Sequence, residues 1–438
     1  MKKYIFYLLL YLGACFGLTN CVMFGLNVFN LNGNNTNSQP TQSMPNRPKT
    51  EIKSNAADLL TKRMVCRTKF LDNGDSIRIF AELEVPRLAE KENISTLLSE
   101  FSFAYGLLPN YNAREYIQTE KLKFAYNQIE YKDGNYRFNF CVAKKPTLSV
   151  VLVMEITDTR NNDKLVQDMV VFFTITKIRE KYGLFDKNGK YLHFSKFFLN
   201  KDTFQIRDLT NGSKELFVRY FSQDFEAALP PMATQPRLGA KDMKVDSSFK
   251  ITSHSPIHFS KKGLYLVQDD TTSYYGLTVY VSDRKYPKLS KVNDLIEPLI
   301  YITTQEERQQ LQNTQEIKKE MDKLWLKLSQ GNTRLAKFVI KNYYQRVKYS
   351  NQYFTTYKEG WKTDMGMIYI IYGAPNRIVR NNEAEYWFYT QNSNFAEIKF
   401  TFAKKPNQFT DDHYNLLRFP DYEQVWYPVV EQWRTGKI

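Results

Sequence analysis

Polar and apolar residues alternate with a period of two between residues 58 and 180. The clearest run is 76–85, whose odd-numbered positions are all apolar and share one face. Asp133-Gly134 lies between two aromatic-rich runs and is a hairpin signal, and 148–156 pairs with 165–175 across a polar turn. Short strands joined by polar turns, with no helical stretch among them, predict a β-sandwich of immunoglobulin-like size.

A second stretch of strand-like pattern runs from 185 to about 300 and predicts a second sandwich. A long loop around the two prolines of 229–232 interrupts it. The strands expected in this stretch are 204–209, 216–221, 249–252, 263–267 and 276–281.

The period becomes helical after residue 300. Thr304 and Glu307 have the spacing of a capping box, and apolar residues then recur at helical spacing up to Gly331-Asn332. A second helix is expected around 335–347. The strands expected after it are 367–372, 385–389 and 397–402. Helices followed by strands predict a small α+β domain.

The predicted fold class is therefore mainly β with a C-terminal α+β domain, that is, two immunoglobulin-like β-sandwich modules followed by a third domain. The expected divisions are a lipoprotein signal peptide at 1–21, a flexible tether at 22–54, sandwiches at 55–182 and 183–300, and the α+β domain at 301–438.

The N-terminus has the pattern of an export signal. Met1-Lys2-Lys3 precedes an apolar run, and Cys15 and Cys21 each end a segment similar to a bacterial lipobox. Cys21 is the expected lipidation site because it gives the more usual signal length, and Cys15 is the alternative. An uncleaved anchor helix is the other interpretation, although Asn20 and Asn27 interrupt the span. In either case the body of the protein is expected outside the cytoplasm, on a tether rich in Asn and Pro.

The composition and charge of the chain limit the classes of partner that it could bind. The chain has 438 residues, with 61 Lys and Arg against 46 Asp and Glu, which gives a formal charge of +15. A hydrophobic content of 42% is enough for real cores and excludes an acidic disordered chain. The charge suits nucleic acid, an anionic membrane surface or an acidic polymer. Export removes nucleic acid as the natural partner and leaves the other two.

Two further cysteines, Cys66 and Cys141, lie in the predicted first sandwich. Alternation places Cys66 on the same face as Phe70, and Cys141 opposite Phe138 and Phe140. One thiol is therefore expected to point inward and the other outward, which argues against a disulfide between them.

One segment identifies a family. It contains Gly360, Trp361, Thr363, Asp364, Gly366, Tyr369, Gly373 and Pro375 within 360–378. This run resembles the signature of the GWxTD domain family, whose members are secreted or lipid-anchored proteins found largely in Bacteroidota. The similarity covers roughly 260–438 and includes 322–325, 343–347, 385–389 and 433–436. The family supplies no catalytic residues to carry over, so the resemblance implies a domain and no particular reaction.

We interpret the motif as a well-set turn that leads into a core strand. Thr363 and Asp364 precede the expected strand 367–372, where such side chains commonly bond nearby backbone N–H groups. Tyr369 is expected on the strand face opposite its neighbours, and Pro375 fixes the turn that follows. Contact with a partner and catalysis are the two alternatives for the motif.

Few residues show recognisable chemistry. His254 and His258 are four residues apart, but Pro256 between them favours a loop or strand over the helix that a metal site would need at this spacing. Asp411-Asp412-His413 lies in a polar turn and is better explained as a solvated loop. The sequence contains no nucleophile elbow, zincin motif or phosphate-binding glycine loop. We therefore predict no catalytic residue, no metal and no cofactor.

Aromatic residues are dense near the C-terminus, and Trp426, Tyr427 and Trp433 are candidate partner contacts. An aromatic core is the alternative explanation for this density.

We expect a non-enzymatic outer-membrane lipoprotein that acts as an adaptor or structural subunit of a cell-envelope complex, with outer-membrane protein assembly or export as the candidate process. Its partners would be the membrane, through the N-terminal lipid, and other envelope proteins. A surface glycan-binding protein that recognises anionic polysaccharide is the alternative. A cryptic hydrolase is third, and it would lose its support if no cleft lay near Asp364 or 411–413.

Overall fold

A computed structural model describes residues 64–88, 93–210, 212–222, 224–234, 243–390 and 397–438. The predicted signal peptide, Cys15, Cys21 and the predicted tether lie outside the described residues. Within these ranges no helix combines the length and the apolar character needed to cross a bilayer.

Two four-stranded antiparallel sheets form the first sandwich. Its elements are β1 (Val65–Asn73), β2 (Ser76–Glu84), α1 (Ile94–Glu100), β3 (Phe101–Leu108), β4 (Gln118–Leu122), β5 (Glu130–Lys132), β6 (Asn135–Ala143), β7 (Ser149–Asp158) and β8 (Asp163–Phe172). One sheet has the order β1-β2-β6-β5 and the other β4-β3-β7-β8. Ile77 and Ile79 of β2 face Phe103 of β3 and Leu152 of β7 in the core between them. This is the face that the alternation of 76–85 predicted.

The second sandwich pairs a five-stranded sheet with a three-stranded one. Its elements are α2 (Ile178–Lys181), β9 (Gly183–Asp186), β10 (Phe198–Leu199), β11 (Thr203–Arg207), β12 (Glu215–Phe221), β13 (Ser247–Thr252), β14 (Pro256–His258), β15 (Gly263–Gln268) and β16 (Leu277–Ser282). The sheet orders are β10-β16-β15-β12-β13 and β14-β11-β9. Phe204 and Ile206 of the smaller sheet pack against Val218 and Val267 of the larger one.

Among the described residues, the C-terminal region carries six α-helices and one antiparallel sheet. These are α3 (Val292–Ile296), α4 (Gln305–Gln312), α5 (Ile317–Leu328), α6 (Thr333–Phe354), α7 (Asp364–Tyr372), β17 (Arg377–Arg380), β18 (Ala384–Tyr389), β19 (Ile398–Lys404), β20 (Tyr414–Leu416) and α8 (Glu423–Thr435). The sheet order is β17-β18-β19-β20. Helices and sheet share one core, in which Trp325, Tyr343, Trp387 and Trp433 are all buried.

Local signals in the sequence correspond to local structure. Asp133 and Gly134 have φ of 53° and 82° and turn the chain between β5 and β6. Thr304 Oγ1 accepts a hydrogen bond from the Glu307 N–H at 3.2 Å, and Glu307 Oε2 accepts one from the Thr304 N–H at 3.1 Å. This reciprocal pair is the capping box that the sequence predicts for α4.

The expected strand 367–372 is wrong, because these residues belong to helix α7. The helix starts at a Thr363 cap and is buried on all sides, so Met367, Ile368, Tyr369 and Ile370 are fully shielded from solvent. A helix with no solvent-facing side has no polar positions to reveal its period, and a short apolar run then reads equally well as a strand. The expectation that Tyr369 lies opposite its neighbours on a strand falls with it.

Cys66 is buried and Cys141 is exposed, and both thiols are free. The prediction that they lie on opposite sides of the sheet is confirmed. Burial raises the pKa of the Cys66 thiol, which keeps it protonated and inert at neutral pH.

The predicted fold class is confirmed: the protein is mainly β, with two sandwiches followed by an α+β region. The exact divisions at 182 and 300 stay predictions.

Candidate functional site

The motif around residue 360 brings three segments into very close contact. A Cβ atom at Gly360 would lie 2.0 Å from the Ser350 carbonyl oxygen of α6, and one at Gly366 would lie 1.9 Å from the Gly360 carbonyl oxygen. Neither position can hold a side chain without moving the backbone. The two glycines therefore let the 3₁₀ turn Gly360–Lys362, helix α6 and helix α7 pack directly on one another.

Trp361 locks this turn into the core. Its indole N–H donates to Glu359 Oε2 at 3.0 Å, and its backbone N–H donates to Asn351 Oδ1 at 3.1 Å. The Tyr301 hydroxyl donates to the Trp361 carbonyl at 2.8 Å. With only 2% of its surface exposed, Trp361 is part of the scaffold and has no face for a ligand.

Thr363 is the cap of α7. Its Oγ1 accepts from the Gly366 N–H at 3.0 Å and donates to the Gly360 carbonyl at 2.7 Å. A threonine at this position satisfies one of the free N–H groups of the first helical turn. The sequence prediction that Thr363 bonds nearby backbone is confirmed, although the element that follows is a helix.

Asp364 ties the start of α7 to two distant segments. Its carboxylate accepts from the Leu416 N–H of β20 at 2.7 Å and forms an ion pair with Arg418. The Arg418 guanidinium also donates to the Leu229 carbonyl at 3.0 Å and the Pro230 carbonyl at 3.3 Å. Both carboxylate oxygens are therefore engaged, and the aspartate holds the long loop of the second sandwich against the α+β region.

The other end of α7 is closed by side chains from α6 and α8. Arg346 Nη1 donates to the carbonyls of Ile370 at 3.1 Å and Ile371 at 2.8 Å, and the Trp433 indole N–H donates to the Ile371 carbonyl at 3.0 Å. The Arg346 guanidinium lies 4.8 Å from the Trp433 ring centroid. A cation at a helix C-terminus also interacts favourably with the helix dipole. The helix ends at Gly373, where φ is 83°.

Tyr369 and Pro375 complete the motif, and both are buried. The Tyr369 ring packs 5.4 Å from that of Phe354. Its hydroxyl has no hydrogen-bond partner among the residues that the structure describes. Burial raises its pKa, so the phenol stays neutral.

An ion cluster surrounds the remaining motif position, Lys362, which is buried together with Glu359. Its Nζ lies 2.7 Å from Asp224, 3.2 Å from Glu359 and 3.6 Å from Glu297, and Lys262 pairs with Glu359 at 3.1 Å. Burial alone would lower the pKa of Lys362, but Glu359 and Asp224 raise it above its ordinary value. Burial would likewise raise the pKa of Glu359, yet the two lysines lower it. Lys362 and Glu359 therefore stay ionised, and Lys362 joins the motif to the second sandwich through Asp224.

A cleft of about 2880 Å³ opens beside the motif. Its walls include Lys69 of β1, Arg179 of α2, Tyr274 from the loop between β15 and β16, and Asp364 at the start of α7. Both sandwiches and the α+β region therefore contribute to one concave surface.

The segment 411–413 forms part of this wall and is more engaged than a solvated loop. Asp411 pairs with Lys177 at 2.7 Å and with Arg179 at 2.6 Å, and Asp412 pairs with Lys196 at 2.8 Å. Burial, with Lys358 nearby, lowers the pKa of His413. His413 is therefore neutral at physiological pH.

The histidine pair of the second sandwich does not converge on a metal position. His254 Nε2 lies 2.9 Å from Asp208 Oδ1, while His258 Nδ1 lies 3.1 Å from the Asp202 carbonyl. Across the described residues, no group of three or more His, Cys, Asp or Glu side chains has the arrangement of a metal site.

The three candidate partner contacts, Trp426, Tyr427 and Trp433, differ in their exposure to solvent. Trp426 and Trp433 are 2% and 1% exposed, because they lie on the inner face of α8, whereas Tyr427 is 54% exposed. Only Tyr427 presents its ring to solvent, and its role as a partner contact stays a prediction.

Sequence reasoning does not single out Arg179 or Arg418, because their partners are far away along the chain. Arg418 bonds a residue 54 positions away, and Lys177, next to Arg179 in the cleft, bonds Asp411 across 234 positions. The one available signal is the alternation of Lys177, Arg179 and Lys181 immediately after the last strand of the first sandwich.

The model of the GWxTD domain family matches residues 263–435. The match starts at the first residue of β15 and ends at the last residue of α8, so it takes in two strands of the second sandwich as well as the α+β region. No curated protein sequence matches the chain.

Proposed function

We propose that this chain, which carries a GWxTD domain over residues 263–435, is a non-enzymatic, lipid-anchored subunit of a bacterial cell-envelope complex that holds a polypeptide partner in its central cleft. The outer membrane is the proposed location, Cys21 the proposed lipidation site, and assembly or export of outer-membrane proteins the proposed process.

The size of the cleft is the observation that carries this proposal. Small-molecule sites typically enclose roughly 300–1,000 Å³, whereas this cleft measures about 2880 Å³. Its walls come from both sandwiches and the α+β region, as expected of a surface that receives a macromolecular segment.

The internal use of the motif supports a scaffold over a catalyst. Trp361, Thr363 and Asp364 direct their polar atoms to the protein itself. A general base or nucleophile needs a free lone pair facing substrate. Asp364 has both oxygens bound within the protein.

Site-specific photocrosslinking from membranes tests the proposal. A benzophenone amino acid would replace Tyr274 in the cleft, Tyr427 on α8 or Tyr126 of the first sandwich, which are 62%, 54% and 56% exposed. Position 274 lines the cleft and position 126 does not. We expect light-dependent adducts with a specific envelope protein at position 274 and none at position 126.

Two results would overturn the proposal: no adduct at position 274 in intact membranes, or equal capture at positions 274 and 126. An adduct at position 427 alone would move the interface to α8 and would also refute the role of the cleft. Lipid anchoring is tested separately by the incorporation of labelled palmitate into the protein. Cys21→Ser should abolish this incorporation, and Cys15→Ser should retain it.

A surface glycan-binding protein is the second candidate, and one observation favours it. Tyr274 is a solvent-exposed aromatic residue in a cleft that also carries Lys177 and Arg179. Sugar rings stack on such faces, and anionic sugars pair with such cations. If isolated envelope polysaccharide binds, and Tyr274→Ala abolishes the binding while Tyr126→Ala retains it, this candidate replaces the first.

A hydrolase is the third hypothesis. This hypothesis requires a cleft near Asp364 or 411–413, and the cleft described above is lined by these residues.

A further inference from the structure

The cleft contains an arginine whose hydrogen-bonding capacity is mostly unused. Arg179 Nε lies 2.6 Å from Asp411 Oδ2. Among the described residues, Nη1 and Nη2 have no hydrogen-bond partner, and almost no solvent reaches them. The side chain as a whole is only 11% exposed. Buried donors of this kind are costly to leave unpaired.

The neighbourhood does not supply the missing acceptors. Asp411 already shares its other oxygen with Lys177 Nζ at 2.7 Å. Glu180, on the same short helix, accepts from the Thr176 and Lys177 backbone N–H groups at 2.9 Å and 3.0 Å. The Arg179 guanidinium otherwise lies 5.3 Å from the Tyr275 ring centroid, which offers a π face but no lone pair.

Other cations accompany this arginine in the wall of the cleft. Lys69, Lys177, Lys196 and Lys404 line the cleft with it, and so do the carboxylates Glu180, Asp411 and Asp412. Over the whole lining, 13 Lys and Arg face 12 Asp and Glu, an excess of 13 − 12 = 1 positive charge.

Lys69 lies in the same wall of the cleft. Its Nζ donates to the His193 carbonyl at 2.6 Å and lies 5.8 Å from the Phe194 ring centroid. Burial, with Lys196 nearby, lowers its pKa to about 8. A bound anion nearby would raise this pKa again.

We propose that Arg179, with Lys177, Lys196 and Lys404, is a carboxylate-binding site that anchors an acidic segment of a polypeptide in the cleft. The inference rests on the proposed function and specifies its ligand chemistry. The two free Nη donors match the geometry of a carboxylate, which an arginine binds in a bidentate manner.

The rest of the wall favours a polypeptide over a polysaccharide. Phe225, Met243 and Val245 also line the cleft, and Val245 is 40% exposed. Such surface buries aliphatic side chains, which polysaccharides lack. An acidic segment with interspersed apolar residues satisfies both kinds of wall.

Fluorescence anisotropy with a labelled hexaglutamate peptide at low ionic strength tests the site on the folded chain, with hexaglutamine as the uncharged probe. Arg179→Ala should weaken hexaglutamate binding about tenfold or more, because it removes a charge-assisted bidentate contact. Arg179→Lys should recover only part of the loss. Arg334→Ala, which removes an exposed arginine from α6, should change nothing.

A second variant guards against misfolding as the cause. Asp411→Asn removes the competing carboxylate, so it should tighten binding of hexaglutamate severalfold. Equal affinity of wild type and Arg179→Ala, weaker binding by Asp411→Asn, or binding of polygalacturonate without hexaglutamate would each overturn the site. If position 274 captures a protein but the variants bind hexaglutamate as wild type does, the carboxylate-binding site is refuted and the proposed function stands. If the peptide binds as expected and position 274 captures nothing, the proposed function fails.

Discussion

At the scale of single residues, the motif is explained by packing distances and hydrogen bonds rather than by reactivity. Positions 360 and 366 require glycine, because a Cβ at either one would overlap neighbouring atoms. Thr363 and Asp364 are required because their side chains accept hydrogen bonds from backbone N–H groups. The sequence predicts this structural role, because Gly, Thr and Asp are the residues that turns and caps require.

Gly366→Ala should destabilise the protein by about 2–3 kcal/mol, because the added methyl would overlap the Gly360 carbonyl and Ser350 Oγ. Urea denaturation measures the loss. Gly212→Ala is the matched control, since nothing lies within 4 Å of its added Cβ. If both variants unfold at the same urea concentration, the close packing of the turn is refuted.

Lys362→Met should cost about 3 kcal/mol at neutral pH, because it removes a principal counter-charge of the buried Glu359. The pKa of Glu359 lies below its ordinary 4.5 in the folded state. Its ion pairs therefore stabilise the protein above pH 4.5, and the contribution disappears as the pH falls through the folded pKa.

The stability difference between wild type and Lys362→Met should accordingly shrink in acid. Lys291→Met, which breaks a solvent-exposed pair with Asp283, should have little effect at any pH. A difference that stays constant down to pH 3 would show that the charge of Glu359 is not what Lys362 stabilises.

At the scale of elements, the strands could be predicted from sequence and helix α7 could not. Strands β2 and β6 each have one buried face, so their alternation records their conformation. Helix α7 has no exposed face, and its run of isoleucines is equally typical of a buried strand. Only the Thr363 cap and Gly373 mark its ends, and both residues also fit a strand between two turns.

Trp433→Phe should destabilise the protein by about 1–2 kcal/mol, because the Ile371 carbonyl at the end of α7 loses one of its donors and the core loses volume. Tyr427→Ala on the exposed side of the same helix should stay within about 0.5 kcal/mol of wild type. Thermal or urea unfolding of the two variants measures both. A larger loss for Tyr427→Ala would mean that α8 is turned the other way.

At the scale of the whole molecule, charged pairs join parts that are far apart in sequence. Arg380 of β17 lies 3.2 Å from Asp168 of β8, which connects the α+β region to the first sandwich. Glu385 pairs with the same guanidinium at 2.6 Å. No local pattern marks these residues as partners, so the cleft that they frame could not be predicted from the sequence.

Asp168→Ala should uncouple the unfolding of the first sandwich from that of the α+β region. All five tryptophans lie in the α+β region, so their fluorescence follows that region alone, while far-UV circular dichroism also follows the sandwiches. In wild type the two urea transitions should coincide, and in the variant they should separate. Lys164→Ala on the same strand breaks only an exposed pair with Glu155 and should leave them coincident. Coincident transitions in Asp168→Ala would show that this pair does not couple the two parts.

The distance along the chain between Lys177 and Asp411 has a consequence in time. The two residues that frame the basic part of the cleft are 234 positions apart. A ribosome that adds about 5–20 residues per second needs tens of seconds at the slow end of that range to make the second after the first. Through that interval the N-terminal sandwich can fold, but the cleft does not yet exist. Synthesis thus acts as a delay, and a nascent chain cannot capture a partner in the cleft before Asp411 has been made.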